Sequence, residues 1–177
     1  MNISEDISRG LIGFYPIYSD GDRTAVACGD GSLSVLDINV RRYLKALAGY
    51  YDTDLASLAR HTAEKLGQKY SNPLVIGGEV WVPFYVRKPA VKGDTCTGYF
   101  ALRYIEGLSR EENVITLRLN SGISMRIYHR AATAHKRLNS ARLLEEETYG
   151  RREAELLRIL ETAGGAYLMS KKNAYRT

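Results

Sequence analysis

Between Val114 and Leu144 the chain carries Arg118, Arg126, Arg130, Lys136, Arg137 and Arg142, with His129 and His135 among them, and not one Asp or Glu. Cations at this density without a compensating carboxylate suit one task, the attraction of a polyanion; the plain alternative is a solvated basic surface. Acids collect at the other end of the chain, at Glu5, Asp6, Asp20, Asp22, Asp30 and Asp37, so the formal charge of +5 is unevenly spread.

Catalytic chemistry needs a nucleophile with its base, a carboxylate cluster, a metal box or a phosphate loop. His61 and Glu64 have an i, i+3 spacing that could present two metal ligands on a helix, but no third ligand accompanies them, and the pair reads as structural. Gly29-Asp30-Gly31 lacks the Lys and the strand-to-helix setting of a phosphate loop and reads as a turn. Glu145–Glu147 reads as the solvated end of a helix, with cation binding as the alternative. Cys28 and Cys96 are too far apart for a metal knuckle and read first as buried thiols, a disulfide being the second reading. A non-enzyme without metal or cofactor is therefore expected. Met1 to Gly10 is polar, and no apolar run approaches the ~20 residues that cross a bilayer. A cytoplasmic protein that does not touch membrane is expected.

The elements that position the cations are readable in outline. Leu11 to Ile38 holds short strands separated by turns at Ser19–Asp22 and Asp30-Gly31, where Asp and Gly tolerate left-handed backbone. Asn39 to Ala48 is helical, and Leu55, Leu58, Ala59, Thr62, Ala63 and Leu66 form one apolar stripe of a second helix, with a cap at Thr53 and a stop at Gly67. Strands are expected at Leu74–Ile76, Val80–Arg87 and Thr97–Ile105. The clearest hairpin joins Val114–Leu119 to Ile123–Tyr128 through Asn120-Ser121-Gly122, with Ile115, Leu117 and Leu119 on its inner face. Ala131 to Glu147 is helical, Gly150 is a break, and Arg151 to Thr162 is a further amphipathic helix ending at Gly164-Gly165. The expected fold is α+β, antiparallel strands and hairpins with an inserted amphipathic helix and C-terminal helices. One domain is expected over residues 1–148, followed by a C-terminal helix and tail over 149–177 for oligomerisation or partner contact.

Tyr50-Tyr51, the triplet Asp52-Thr53-Asp54, Leu55, Gly67, Lys69, Tyr70, Pro73 and Ile76 resemble, at matching spacing, the pattern of the ComK-type competence transcription factors. Tyr15-Pro16-Ile17-Tyr18, Trp81-Val82-Pro83, Asp94-Thr95-Cys96 and Leu119-Asn120-Ser121-Gly122 extend the resemblance over roughly residues 11–144. It departs at Ser57-Leu58-Ala59, which replaces a basic triplet of that family, at Tyr99-Phe100, and at Arg130. The resemblance implies a transcription activator of competence type that binds paired AT-rich boxes of double-stranded DNA as a dimer or larger assembly, through the minor groove, and that regulatory proteins contact.

The helix over 55–66 offers Ser57, Arg60, His61, Glu64 and Lys65 outward, a mixed set with an acid at its centre, which suits a strut better than a groove reader. DNA is expected instead at the hairpin and the helix after it. Arg118 and Arg126 flank the turn, Arg130 starts the helix, and Thr133, Lys136, Arg137 and Ser140 share one polar face by their spacing, ordinary solvent exposure being the alternative for Thr133 and Ser140. Arg is the side chain suited to the narrow minor groove of A-tracts. A rival reading is a protein-interaction module that keeps this frame without DNA binding, through the apolar residues Leu156, Leu157, Ile159 and Leu160.

Overall fold

The computed structural model describes residues 1–19, 21–68, 71–89 and 91–174, with side chains described through 160. The turn residue Asp20, Lys69 and Tyr70 of the ComK-like segment, and the end of the tail lie outside the described residues. Contacts divide the chain into two units, Met1–Leu144 and Glu145–Thr177.

The first unit is α+β. Its elements are α1 (Ile3–Ser8), β1 (Leu11–Tyr18), β2 (Asp22–Cys28), β3 (Leu33–Leu36), α2 (Val40–Tyr50), α3 (Leu55–Leu66), β4 (Leu74–Ile76), β5 (Glu79–Tyr85), β6 (Thr97–Ala101), a 3-10 turn at Leu102–Tyr104, β7 (Ile105–Glu111), β8 (Val114–Leu119), β9 (Ser124–Ile127), and the start of α4 (Ala131–Ala174). Every strand pairing is antiparallel. The strands make a six-stranded sheet in the order β3-β2-β1-β6-β5-β4 and a three-stranded sheet in the order β7-β8-β9.

Alternation along the strands of the large sheet builds a core on each of its faces. On β5 and β6, Trp81 and Ala101 join one cluster with Phe14, Val26, Tyr43 and Leu47, which is the face covered by α1 and α2. Val82, Phe84 and Phe100 join the other, with Ile115, Leu117, Leu119 and Ile127 of the small sheet and Ala134, Leu138 and Ala141 of α4. The register of β1 slips between Leu11 and Gly13, and the inserted residue lets Leu11 serve the first core while Ile12 serves the second.

Helix starts follow from caps. The Asn39 side chain accepts from Arg42 N–H and opens α2. Asp54, one residue later than expected, accepts from Ala56 N–H and Ser57 N–H and opens α3, and Gly67 closes it at φ 59. The stripe of α3 is shallower than its periodicity suggests: Thr62 is buried, Leu55 and Leu58 are half-buried against the first core, and Ala59 is exposed. Gly77 turns β4 into β5 at φ 61, with the Tyr51 ring 2.3 Å from where a Cβ would stand.

Two expectations are corrected. Thr97–Ile105 is not one strand: it stops at Ala101, turns, and leads into β7, which the sequence reading missed. Nor does the last helix break at Gly150 or end at Gly164-Gly165, since α4 runs to Ala174. A single glycine costs about 1 kcal/mol in a helix, and the i, i+4 ion pair of Glu147 with Arg151 spans it. In the second unit Tyr149, Leu156, Leu157, Ile159 and Leu160 are exposed.

Candidate nucleic-acid interface

The β8–β9 hairpin separates its side chains by alternation: Ile115, Leu117, Leu119 and Ile127 are buried, while Arg118 and Arg126 are exposed. Thr116 pairs with Arg126 and Arg118 with Ser124, so both arginines rise from the outer face of the small sheet. Gly122, at φ 83, donates to Leu119 O at 3.0 Å and tightens the turn, and Asn120 N–H donates to Tyr104 O at 3.0 Å, tying the tip to the 3-10 turn.

After β9 the chain is sewn to the large sheet. Tyr128 N–H donates to Tyr85 O at 2.7 Å. Tyr85 N–H in turn donates to His129 Nε2 at 3.0 Å. An imidazole that accepts at Nε2 is neutral, and burial, with the nearby Arg137 cation second, pushes the His129 pKa down to about 4. His129 therefore adds no charge to this surface at neutral pH.

These bonds put Tyr128 between cations from two elements. The Arg126 guanidinium lies 4.9 Å from its ring centroid, and Lys88 Nζ, from the loop joining β5 to β6, lies 6.0 Å from it. Lys88, Arg126 and Arg130 are all exposed, and among the described residues no ion pair engages any of them.

The loop that brings Lys88 here is anchored from below by Arg87. Arg87 Nη2 lies 2.9 Å from Asp22 Oδ1 and 3.2 Å from Asp94 Oδ2, with side-chain exposures of 14%, 20% and 5% for Arg87, Asp22 and Asp94. Asp22 Oδ2 accepts from Thr95 N–H at 3.1 Å and from Thr95 Oγ1 at 2.6 Å, and Arg87 Nε donates to Thr95 O at 2.8 Å. Each group in this knot is satisfied by another, which holds the loop against the start of β2.

Two of the expected contact residues do not belong to the open surface. Arg137 is half-buried and donates from Nη1 to Pro83 O at 2.8 Å; its burial pulls its pKa down. Ser140 is 5% exposed and accepts from Gln68 Nε2 at 3.0 Å. Both flank the Ala134, Leu138, Ala141 and Leu144 stripe by which α4 packs, so their polar groups serve the fold. Thr133 and Lys136 are exposed on α4. The acid-free segment also gains an acid in space: Glu106 on β7 lies 3.9 Å from Arg118 Nε, which weakens the positive field at that end of the sheet. Lys88 and Tyr128, which the sequence reading did not select, come together only through the pairing of Tyr128 with Tyr85. The signal that could have pointed to them was the cation pair Arg87-Lys88 before Pro89 in a loop.

On α3, Ser57, Arg60, His61, Glu64 and Lys65 are exposed, and Arg60 Nη2 donates to Ser57 Oγ at 3.5 Å. Cys28 and Cys96 are free and buried. Among the described residues no group of three or more His, Cys, Asp and Glu side chains is placed to hold a metal, and no helix is long and apolar enough to cross a membrane. The chain matches no protein-family model, no curated protein and no solved structure.

Proposed function

We propose that this protein is a cytoplasmic DNA-binding transcription regulator of the ComK type, docking AT-rich duplex boxes with the surface formed by Arg126, Tyr128, Lys88 and Arg130. Arg118 shares the outer face of the small sheet with Arg126, and Thr133 and Lys136 are exposed on α4 after Arg130. The observation that carries the reading is the cation–aromatic cluster: exposed cations, in no ion pair among the described residues, converge on one exposed tyrosine from two separate elements, where folding alone gains little. Phosphates supply the counter-charge such a cluster lacks, and Arg is suited to a narrow minor groove. The ComK-like residue pattern supplies the expectation of an activator working on paired boxes as a dimer, with regulatory proteins as further partners.

Fluorescence anisotropy with AT-rich and GC-rich duplexes over a salt series tests this. Affinity is expected to fall steeply with salt and to favour the AT-rich duplex; no binding to either at low salt would overturn it. One observation favours a second reading, a protein-interaction module: Leu156, Leu157, Ile159 and Leu160 are 55–65% exposed on α4. That reading expects a partner and no salt-dependent DNA binding.

A further inference from the structure

A cleft of about 530 Å³ lies between α2 and the loop joining β5 to β6. Arg41 lines it from α2, Lys92 from the loop and Tyr85 from the end of β5, and Pro89 and Val91 supply apolar wall. We propose that this cleft takes one unstacked nucleotide, its base against the Tyr85 ring and its phosphate between Arg41 and Lys92. The nucleotide comes either from the DNA bound alongside or from a free mononucleotide. The DNA source rests on the function proposed above; the free source does not.

Four observations carry the inference. The volume lies within the ~300–1,000 Å³ of small-ligand sites and is far too small for a stacked duplex. Tyr85, Arg41 and Lys92 are all exposed; the Tyr85 ring meets His129 with centroids 5.8 Å apart, and the part of it left open to solvent stands with two cations, the combination that binds single nucleotides by stacking and charge. The Tyr85 backbone is fixed on both sides, donating to His129 Nε2 and accepting from Tyr128 N–H, so the platform is set before any ligand arrives. Asp94 also lines the cleft, but it is 5% exposed and engaged by Arg87 and by Val91 N–H at 3.1 Å, so the exposed charge is that of Arg41 and Lys92. Tyr85, which lines the cleft, is bonded through its backbone to Tyr128, and the loop of the cleft is the one that carries Lys88.

The test uses the full chain and three probes: an AT-rich duplex, the same duplex with one bulged 2-aminopurine, and thymidine monophosphate. For a nucleotide drawn from DNA, the bulged duplex binds about tenfold tighter than the paired one, and the 2-aminopurine emission is quenched on binding. Tyr85→Leu and Lys92→Ala each remove that preference, while Lys92→Ala leaves affinity for the paired duplex within about twofold. For a free nucleotide, thymidine monophosphate binds and Lys92→Ala weakens it, whatever the duplexes do. If both duplexes bind equally, without quenching, and thymidine monophosphate does not bind, the cleft proposal is overturned and the DNA-binding reading stands. If neither duplex binds but the mononucleotide does, the DNA-binding reading fails and the cleft stands. If no probe binds, both fail.

Discussion

Replacing Asp22 by Ala removes the acceptor at the centre of the knot that anchors the β5–β6 loop. Three hydrogen bonds go with it, from Arg87 Nη2 at 2.9 Å, Thr95 N–H at 3.1 Å and Thr95 Oγ1 at 2.6 Å. Thr95 is 6% exposed, so its N–H and hydroxyl are left without water to replace the carboxylate. Removing one partner of a buried ion pair costs about 3–5 kcal/mol when the other charge is orphaned. Here Asp94 still faces Arg87 at 3.2 Å, which places the loss at the lower end, about 3 kcal/mol. Against a stability of roughly 5–15 kcal/mol, the protein stays folded but its urea midpoint drops by about 1.5 M for a slope near 2 kcal/mol per M. Asp22→Asn keeps one acceptor oxygen and is expected to lose about half as much. Equilibrium urea unfolding followed by circular dichroism reads both. A loss below about 1 kcal/mol for Asp22→Ala would mean that the knot behaves as a surface ion pair and does not fix the loop.

His129 is expected to stay neutral to low pH, titrating in NMR near the value of about 4 set by burial and Arg137 instead of the ordinary 6.5. The folded pKa lies below the unfolded one, so this contribution to stability is complete above about pH 6.5 and is lost as pH falls toward 4. His129→Gln, which can accept from Tyr85 N–H, should flatten the dependence in that window, and an unchanged profile would contradict the assignment. Gly77→Ala places a methyl against the Tyr51 ring at φ 61 and should cost about 1–3 kcal/mol in thermal unfolding; a neutral change would show that Tyr51 moves freely. Leu156→Glu with Leu160→Glu should convert an assembled protein to monomer in sedimentation equilibrium, because charges replace exposed apolar side chains. A wild-type protein that is monomeric both free and on DNA would remove the case for a dimer.

Local chemistry in the sequence announces most of the frame. The Asn120-Ser121-Gly122 turn and the Ile115, Leu117, Leu119 alternation give the hairpin because turn residues and period-two burial act over a few residues. Asn39 and Gly67 mark helix limits for the same reason. β7 stays hidden because Ile105 to Glu111 contains Gly107, Ser109 and charged residues and holds its place by pairing with β8, with a register shift at Ile105 and Gly107. The site is harder still. Helical spacing tells that Arg137 and Ser140 share a face, yet only the packing of α4 against Pro83 and Gln68 decides that the face is closed. Likewise the thirty-odd residues without an acid are contiguous in sequence, while Glu106 enters their space from a neighbouring strand and Lys88 joins them from a loop. Charge patterning survives folding only where no long-range neighbour intervenes.

The salt dependence of binding to an AT-rich duplex, measured for the wild type and for Lys88→Ala with Arg126→Ala, is the most direct test of the cation–aromatic surface. Two phosphate contacts removed should flatten the log–log slope by about two units and weaken binding at low salt, with little change in melting temperature because both side chains are exposed. A double variant that binds with wild-type affinity and slope, while Arg60→Ala on α3 abolishes binding, would contradict it and move the interface to that helix.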